Sequence, residues 1–178
     1  MEDAFPDLQI KVIGEPVDLG GAHELAAKDK YQFQWWVLDR VGAQPVAGKK
    51  KGSDKGIDGV IPFIAGPKDT DFKRALVSVK GGEHAGVGAV RDLVGVLQRE
   101  NEPIGVVVTL SKPTGDMITE AAAAGTYHNE LWQKDYPRLQ LLTVEQILHG
   151  KTPLMPPQKS PFAKAPTERE AAKTKRLL

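Results

Sequence analysis

The chain has 178 residues, 40% of them hydrophobic and 26% charged, which excludes a globally disordered protein. Its formal net charge of +1 does not by itself indicate a polyanionic partner, and the absence of cysteine excludes a disulfide framework, a thiolate zinc site and thiol catalysis. No apolar run approaches the roughly 20 residues that span a bilayer and the N-terminus lacks the features of a signal peptide, so we expect a cytoplasmic protein with no membrane contact.

The first part of the chain predicts an arm followed by two helices. Residues 1–28 are expected to form an N-terminal arm that ends in a short helix over 19–28. Asp29 has the character of an N-cap for a second helix, over 30–42, which Gly42 closes. Apolar residues recur there at intervals of three and four, as on a buried helical face: Phe33, Trp36, Val37 and Val41.

A β-hairpin is predicted next. A polar, glycine-bearing loop over 49–56 precedes two short apolar segments, residues 57–64 and 74–80. The turn Gly66-Pro67-Lys68-Asp69 joins them closely enough for antiparallel strands.

The rest of the body alternates between helical and strand patterns. The expected elements are a helix over 87–100, a strand buried on both faces over 104–110, a helix over 114–124, a strand over 139–142 and a helix over 144–149. This α-β-α-β-α order implies parallel neighbours and right-handed crossovers. Residues 29–150 are therefore predicted to form an α/β sandwich, a mixed central sheet flanked by helices.

The composition changes in the last segment. Residues 151–178 carry seven basic and two acidic side chains and are rich in proline. Because proline interrupts regular elements, we predict a basic tail over 151–178 that packs little against the body.

The hairpin carries the candidate chemistry. Asp58 begins its first strand and Lys80 ends its second, so both are expected at one edge of the sheet. Ser78 lies two residues before Lys80 and points to the same face. A carboxylate can hold Mg²⁺ and an ammonium can stabilise phosphate charge, although an exposed Asp–Lys ion pair is the alternative. A nearby basic cluster is either a solvated loop or a phosphate contact: Lys49, Lys50, Lys51 and Lys55.

Several segments together resemble the Mrr-like restriction endonuclease domain, a branch of the PD-(D/E)xK nucleases. The resemblance runs over residues 29–150 and lies in seven segments. They are Tyr31-Gln32-Phe33-Gln34-Trp35-Trp36, Val41-Gly42-Ala43, Gly52-Ser53-Asp54-Lys55-Gly56-Ile57-Asp58-Gly59, Val77-Ser78-Val79-Lys80, Val90-Arg91-Asp92-Leu93-Val94-Gly95-Val96-Leu97, Gly105-Val106-Val107-Val108-Thr109 and residues 121–125. Their order and spacing carry the resemblance.

The resemblance implies a restriction-endonuclease-like fold. It also implies hydrolysis of double-stranded DNA that depends on Mg²⁺ or Mn²⁺. Asp58 matches the metal-binding aspartate and Lys80 the catalytic lysine, with the Val79 carbonyl as a further metal ligand. The family's position two before the lysine, normally Glu or Gln, is Ser78 here. A glutamate of the first helix is replaced by Gln34, so two carboxylates become neutral groups. Arg91 is expected to contact phosphate or to form a surface ion pair.

Three interpretations stay open. The first is a metal-dependent DNA endonuclease, a homodimer linked to a DNA methyltransferase as its partner or as its parent chain. The second is a nuclease-fold DNA-binding module without catalysis that serves a methyltransferase or a restriction-modification system. The third is an interaction domain whose tail recruits a partner.

Overall fold

The computed structural model describes residues 15–46, 56–67, 71–82 and 84–158. The predictions for residues 1–14, most of the 49–56 loop, part of the 66–69 turn and residues 159–178 lie outside the described residues. Every described helix is too short or too polar to cross a membrane.

One aspartate organises the first two helices, α1 (Leu19–Lys28) and α2 (Lys30–Arg40). The Asp29 main-chain N–H donates to the Leu25 carbonyl at the end of α1, while its carboxylate accepts the N–H groups of Tyr31 and Gln32 at the start of α2. This confirms the predicted cap. The helix ends two residues earlier than expected, and Gly42 follows with a φ of +70°.

The sheet confirms the predicted α/β sandwich. The strands are β1 (Gln44–Pro45), β2 (Gly59–Ile64), β3 (Phe72–Lys80), β4 (Ile104–Thr109), β5 (Thr126–Asn129), β6 (Lys134–Pro137) and β7 (Leu139–Thr143). Five of them form the central sheet in the order β1-β2-β3-β4-β7. The β2–β3 pair is antiparallel, with Gly59 opposite Val77, and β4 runs parallel to both β3 and β7. The sheet is therefore mixed.

Two apolar clusters cover the faces of this sheet. One joins α1, α2 and α5 (Val144–Leu148) to the face of Ala75 and Val77. The other joins α3 (Val87–Glu100) and α4 (Gly115–Ala123) to the face of Leu76. Every residue of β4 is buried, as expected for a parallel strand covered on both sides.

The sequence patterns missed the β5–β6 hairpin. Its strands are mostly exposed, so they lack the alternation that marks a half-buried strand. It is anchored by Asn129, whose amide donates to the Ile64 carbonyl at 3.1 Å and whose side-chain oxygen accepts the N–H of Leu131. Asparagine favours turns, because its side chain can hydrogen-bond to the main chain of the residue two positions later. Asn129 was the only indication of this hairpin in the sequence.

The expectation that the tail packs little against the body is wrong for residues 153–158. Pro153 and Pro156 are buried, and Met155 packs against the apolar cluster that α1, α2 and α5 form on one face of the sheet. The Pro157 carbonyl accepts the N–H of Ile64 at 3.2 Å, and the Gln140 side chain exchanges two hydrogen bonds with the Leu154 main chain. Proline prevented a regular element, but it did not prevent an extended segment from docking.

Gln140→Ala should therefore destabilise the protein, because both bonds to Leu154 disappear. We expect a loss of about 1–2 kcal/mol, which for a chain of this size lowers the melting temperature by roughly 2–8 °C. Thermal unfolding followed by circular dichroism measures the shift. Gln98→Ala, at an exposed site on α3, is the control and should leave the melting temperature nearly unchanged. Equal melting temperatures for the two variants would show that the docked segment adds no stability.

Candidate active site

The main chain of Asp58 is held between two neighbouring segments. It lies one residue before β2, and its N–H donates to the Val77 carbonyl of β3 at 2.8 Å. On its other side, the Val46 N–H donates to the Asp58 carbonyl at 3.2 Å. Asp58 therefore continues the sheet although its strand begins at Gly59.

The Asp58 carboxylate bonds to a strand on one side and to a helix on the other. One oxygen accepts the main-chain N–H of Val79 at 2.7 Å, and the second accepts the side-chain amide of Gln34 at 2.5 Å. The carboxylate takes the place of a main-chain carbonyl at the point where the β2–β3 ladder ends. These two bonds fix the rotamer of Asp58 and join β2, β3 and α2.

A glycine allows α2 to approach this closely. A Cβ atom built on Gly59 would lie 2.6 Å from Cδ2 of Leu38, a fully buried residue one turn after Gln34 on α2. Because residues four apart share a helix face, the same contact that seats Leu38 directs Gln34 toward Asp58.

A small hollow opens beside Gln34 and Val79, the two residues that donate hydrogen bonds to the Asp58 carboxylate. It has a volume of about 190 Å³ and is lined by Lys30, Phe33, Gln34, Val79, Gly81 and Gly82. Gly81 is required by packing, since a Cβ there would lie 2.9 Å from the Phe33 ring. Lys30 supplies a cation at the rim. Sequence reasoning missed this residue, because only the folded helix brings its first turn next to the end of β3.

Lys80 and Ser78 occupy the expected strand but not one hollow with Gln34. Lys80 is the last residue of β3, directly after Val79, and so lies at the Asp58 end of the sheet. Alternation along β3 places Ser78 and Lys80 on the face opposite Val79. Ser78 is 2% exposed and does not line the hollow of Gln34, so the two neutral residues that replace the family's carboxylates do not face one common hollow.

The alternative of a simple surface ion pair is also not what the described residues show. No salt bridge joins Lys80 to Asp58 there. Arg91, by contrast, forms an ion pair with Glu120 of α4 at 3.0 Å, which is the second of its two expected roles. The four clustered lysines, Lys49, Lys50, Lys51 and Lys55, lie outside the described residues.

The oxygen ligands at this site fit a hard divalent cation, but they are close to the smallest number with which proteins bind Mg²⁺. Mg²⁺ binds one or two carboxylates together with substrate phosphates and keeps several waters. Asp58 supplies one carboxylate, and no cluster of three acidic or histidine side chains occurs among the described residues. The N–H and carbonyl of one strand residue point to the same neighbour, so the carbonyl of Val79 also faces the Asp58 side.

Comparison with known proteins gives one match. A family model, Mrr_cat, described as a restriction endonuclease, matches residues 26–142, about two thirds of the chain. No curated protein and no solved structure matches. The matched range contains α2, Asp58, β3 and the hollow described above.

Replacing Gly59 tests the contact that brings α2 to the carboxylate. Gly59→Ala should destabilise the protein by about 1–3 kcal/mol, because the added methyl group overlaps the buried Leu38 side chain. Gly95→Ala is the matched control on α3: its added Cβ meets no atom within 4 Å, and it should stabilise the helix by about 0.5–1 kcal/mol. The changes in stability are measured as shifts of the urea unfolding midpoint of each variant relative to the wild type. A neutral Gly59→Ala would mean that the close approach is not needed.

Proposed function

The chain belongs to the Mrr-like restriction endonuclease family, and on this premise we propose that it hydrolyses phosphodiester bonds of double-stranded DNA with Mg²⁺ or Mn²⁺ at Asp58 and Lys80. The observation that carries the proposal is the clamp on Asp58. Its carboxylate is held by Val79 and Gln34 at one end of the sheet, and Lys80 directly follows Val79 in the chain. A carboxylate bound only for packing would not require a lysine and an open hollow at its side.

The cation would be held by the Asp58 carboxylate and the Val79 carbonyl. When bound, it would supply Lewis acidity toward the phosphate and a more acidic water. Each Asp58 oxygen accepts one of the two clamp hydrogen bonds, and a carboxylate oxygen can accept more than one partner, so a cation would bind beside the clamp. With few protein ligands, most of the remaining positions are left to water and to DNA phosphate.

Two lysines approach the phosphate from different sides of the sheet end. Lys80 extends from the α3 face and provides a positive charge for the developing negative charge on phosphorus-bound oxygen. Lys30 stands at the rim of the hollow on the α2 face, where the open space beside Gly82 would admit a phosphate. The scissile phosphate would lie between these charges, next to Asp58.

A second candidate function is supported by the Gln34 hydrogen bond. The Gln34 amide, which donates to Asp58, competes with a metal for that carboxylate oxygen and contributes no negative charge. Buried Ser78 adds none either. These two neutral residues favour a module that binds DNA without cleaving it. Such a module would be accessory to a methyltransferase or a restriction-modification system. Association with a methyltransferase, a homodimeric state, phosphate contacts by the clustered lysines and a cytoplasmic location stay predictions.

Removing either central residue separates the two functions. Asp58→Ala should abolish cleavage and leave DNA binding equal or tighter, because it removes the metal ligand and one negative charge. Lys80→Ala should abolish cleavage and weaken binding modestly, because one phosphate-facing cation is lost. Nicking of supercoiled plasmid, methylated and unmethylated, is measured beside gel-shift binding. Asp92→Ala, at an exposed position on α3, is the control. A wild type that binds DNA but never nicks it, with either metal, would support the binding module instead.

Restoring the missing negative charge should reduce the metal requirement. Gln34→Glu adds a carboxylate beside Asp58, and we expect the Mg²⁺ concentration at half-maximal nicking to fall by about tenfold, equivalent to about 1.4 kcal/mol. Gln98→Glu, at an exposed position on α3, adds the same charge away from the hollow and should change this concentration little. Ser78→Glu, which also restores the family pattern, should give a smaller gain, because it buries a charge. Equal metal requirements for Gln34→Glu and Gln98→Glu would argue against a cation at Asp58.

A further inference from the structure

Two aromatic side chains of α2 are exposed beside the candidate site. Tyr31 is 60% exposed and Trp35 is 57% exposed, whereas Phe33 and Trp36 of the same helix are buried in the core. Tyr31 and Trp35 are four residues apart and share one side of α2. That side adjoins the flank from which Gln34 reaches Asp58, and Trp35 directly follows Gln34 in the chain.

Trp35 also forms a wall of a cavity. The cavity has a volume of about 380 Å³, and its polar lining includes the Gln32 amide and the Asp39 carboxylate, while Leu25, Pro16 and Trp36 supply apolar surface. A flat aromatic wall next to an amide and a carboxylate suits a planar heterocycle that both stacks and donates hydrogen bonds.

The charges on the two flanks of α2 differ. The flank with the 190 Å³ hollow carries Lys30, which attracts phosphate. The Trp35 cavity is lined instead by the carboxylates of Asp39 and Glu15, of which Glu15 is paired with Arg40 at 3.3 Å. Carboxylates repel phosphate but accept hydrogen bonds from the amino groups of nucleobases. The two flanks therefore suit the two parts of one nucleotide strand, its backbone and its bases.

We propose that Trp35, assisted by Tyr31, stacks on an unpaired nucleobase next to the phosphate held at Asp58. The inference rests on the proposed function, since it takes DNA as the substrate. In a continuous duplex both faces of each base are covered by neighbouring bases, so an aromatic ring can stack only on a base outside the stack. The preferred substrate is accordingly a DNA duplex with a single-stranded gap or an extruded nucleotide at the cleavage position.

The test uses the full chain and two DNA probes, a continuous duplex and the same duplex with a short gap. The wild type should bind the gapped probe more tightly. Trp35→Ala should weaken that binding by about 5- to 150-fold and change binding to the continuous duplex little. Trp35→Phe, which keeps a stacking ring, should restore most of the loss. Trp132→Ala is the matched control, because Trp132 is 46% exposed on the connection between β5 and β6 and does not line the Trp35 cavity.

Intrinsic fluorescence gives a second readout. A single-stranded oligodeoxycytidylate, whose bases carry amino groups, should quench tryptophan emission in the wild type and in Trp132→Ala. Quenching should largely disappear in Trp35→Phe, because Trp36 offers little ring surface at 7% exposure and Trp132 does not line the cavity. The melting temperature of Trp35→Ala should stay within a few degrees of the wild type, which separates a lost contact from a lost fold.

The outcomes separate the inference from the function on which it rests. Equal binding of gapped and continuous duplex, or unchanged binding by Trp35→Ala, would overturn the stacking role and leave the nuclease proposal intact. A change in oligomeric mass for Trp35→Ala, measured by light scattering, would overturn it in favour of a contact between protein chains. If neither probe is bound at low salt by any form, the proposed DNA function fails, and the inference fails with it.

Discussion

The hydrogen bonds of one carboxylate decide how the functional end of this molecule is assembled. Asp58 stands where β2 has not yet begun, and its side chain accepts the Val79 N–H that the ladder would otherwise leave unpaired. The Gln34 amide binds the other oxygen and ties α2 to the same point. Because an unpaired main-chain N–H or an unpaired, partly buried carboxylate is costly, the three segments stabilise one another in this arrangement.

Close packing makes that arrangement possible. Gly59 lets Leu38 lie against the strand, and Gly81 lets Phe33 lie against the chain after β3. Both contacts are made by α2, so the helix is held on each side of Gln34. A larger residue at either glycine would move the helix and with it the partner of Asp58. The position of the carboxylate is thus determined by core packing as much as by its own hydrogen bonds.

Among the described residues, the charges around Asp58 are sparse for a site that would hold a divalent cation. Gln34 and Ser78 are neutral, and Ser78 is buried on the face away from the hollow. An anionic substrate would supply further ligands, so we expect the cation and the DNA phosphate to bind together rather than in sequence. Under the proposed cleavage, this coupling would let one carboxylate of the described part of the chain suffice; without it, the site would bind DNA only. Lys30 and Lys80 would suit either function, because a DNA phosphate attracts both lysines.

The sequence by itself determined the order of the described helices and of β2, β3, β4 and β7, the Asp29 cap, the antiparallel β2–β3 hairpin and the placement of Asp58 and Lys80 at one sheet end. These features depend on local periodicity, capping and strand polarity, which neighbouring residues carry. It did not reveal the β5–β6 hairpin, whose strands are mostly exposed, or the docking of residues 153–158. Both depend on long-range contacts, which include hydrogen bonds to Ile64 and the bonds between Gln140 and Leu154. Only the tertiary structure decided that Gln34 donates to Asp58, that Ser78 faces away from Gln34, and that Lys30 and Trp35 stand on either side of Gln34. Those relations follow from how α2 packs across the sheet. The periodicity of a helical sequence indicates which face is apolar, but it does not indicate which strand residue that face will contact.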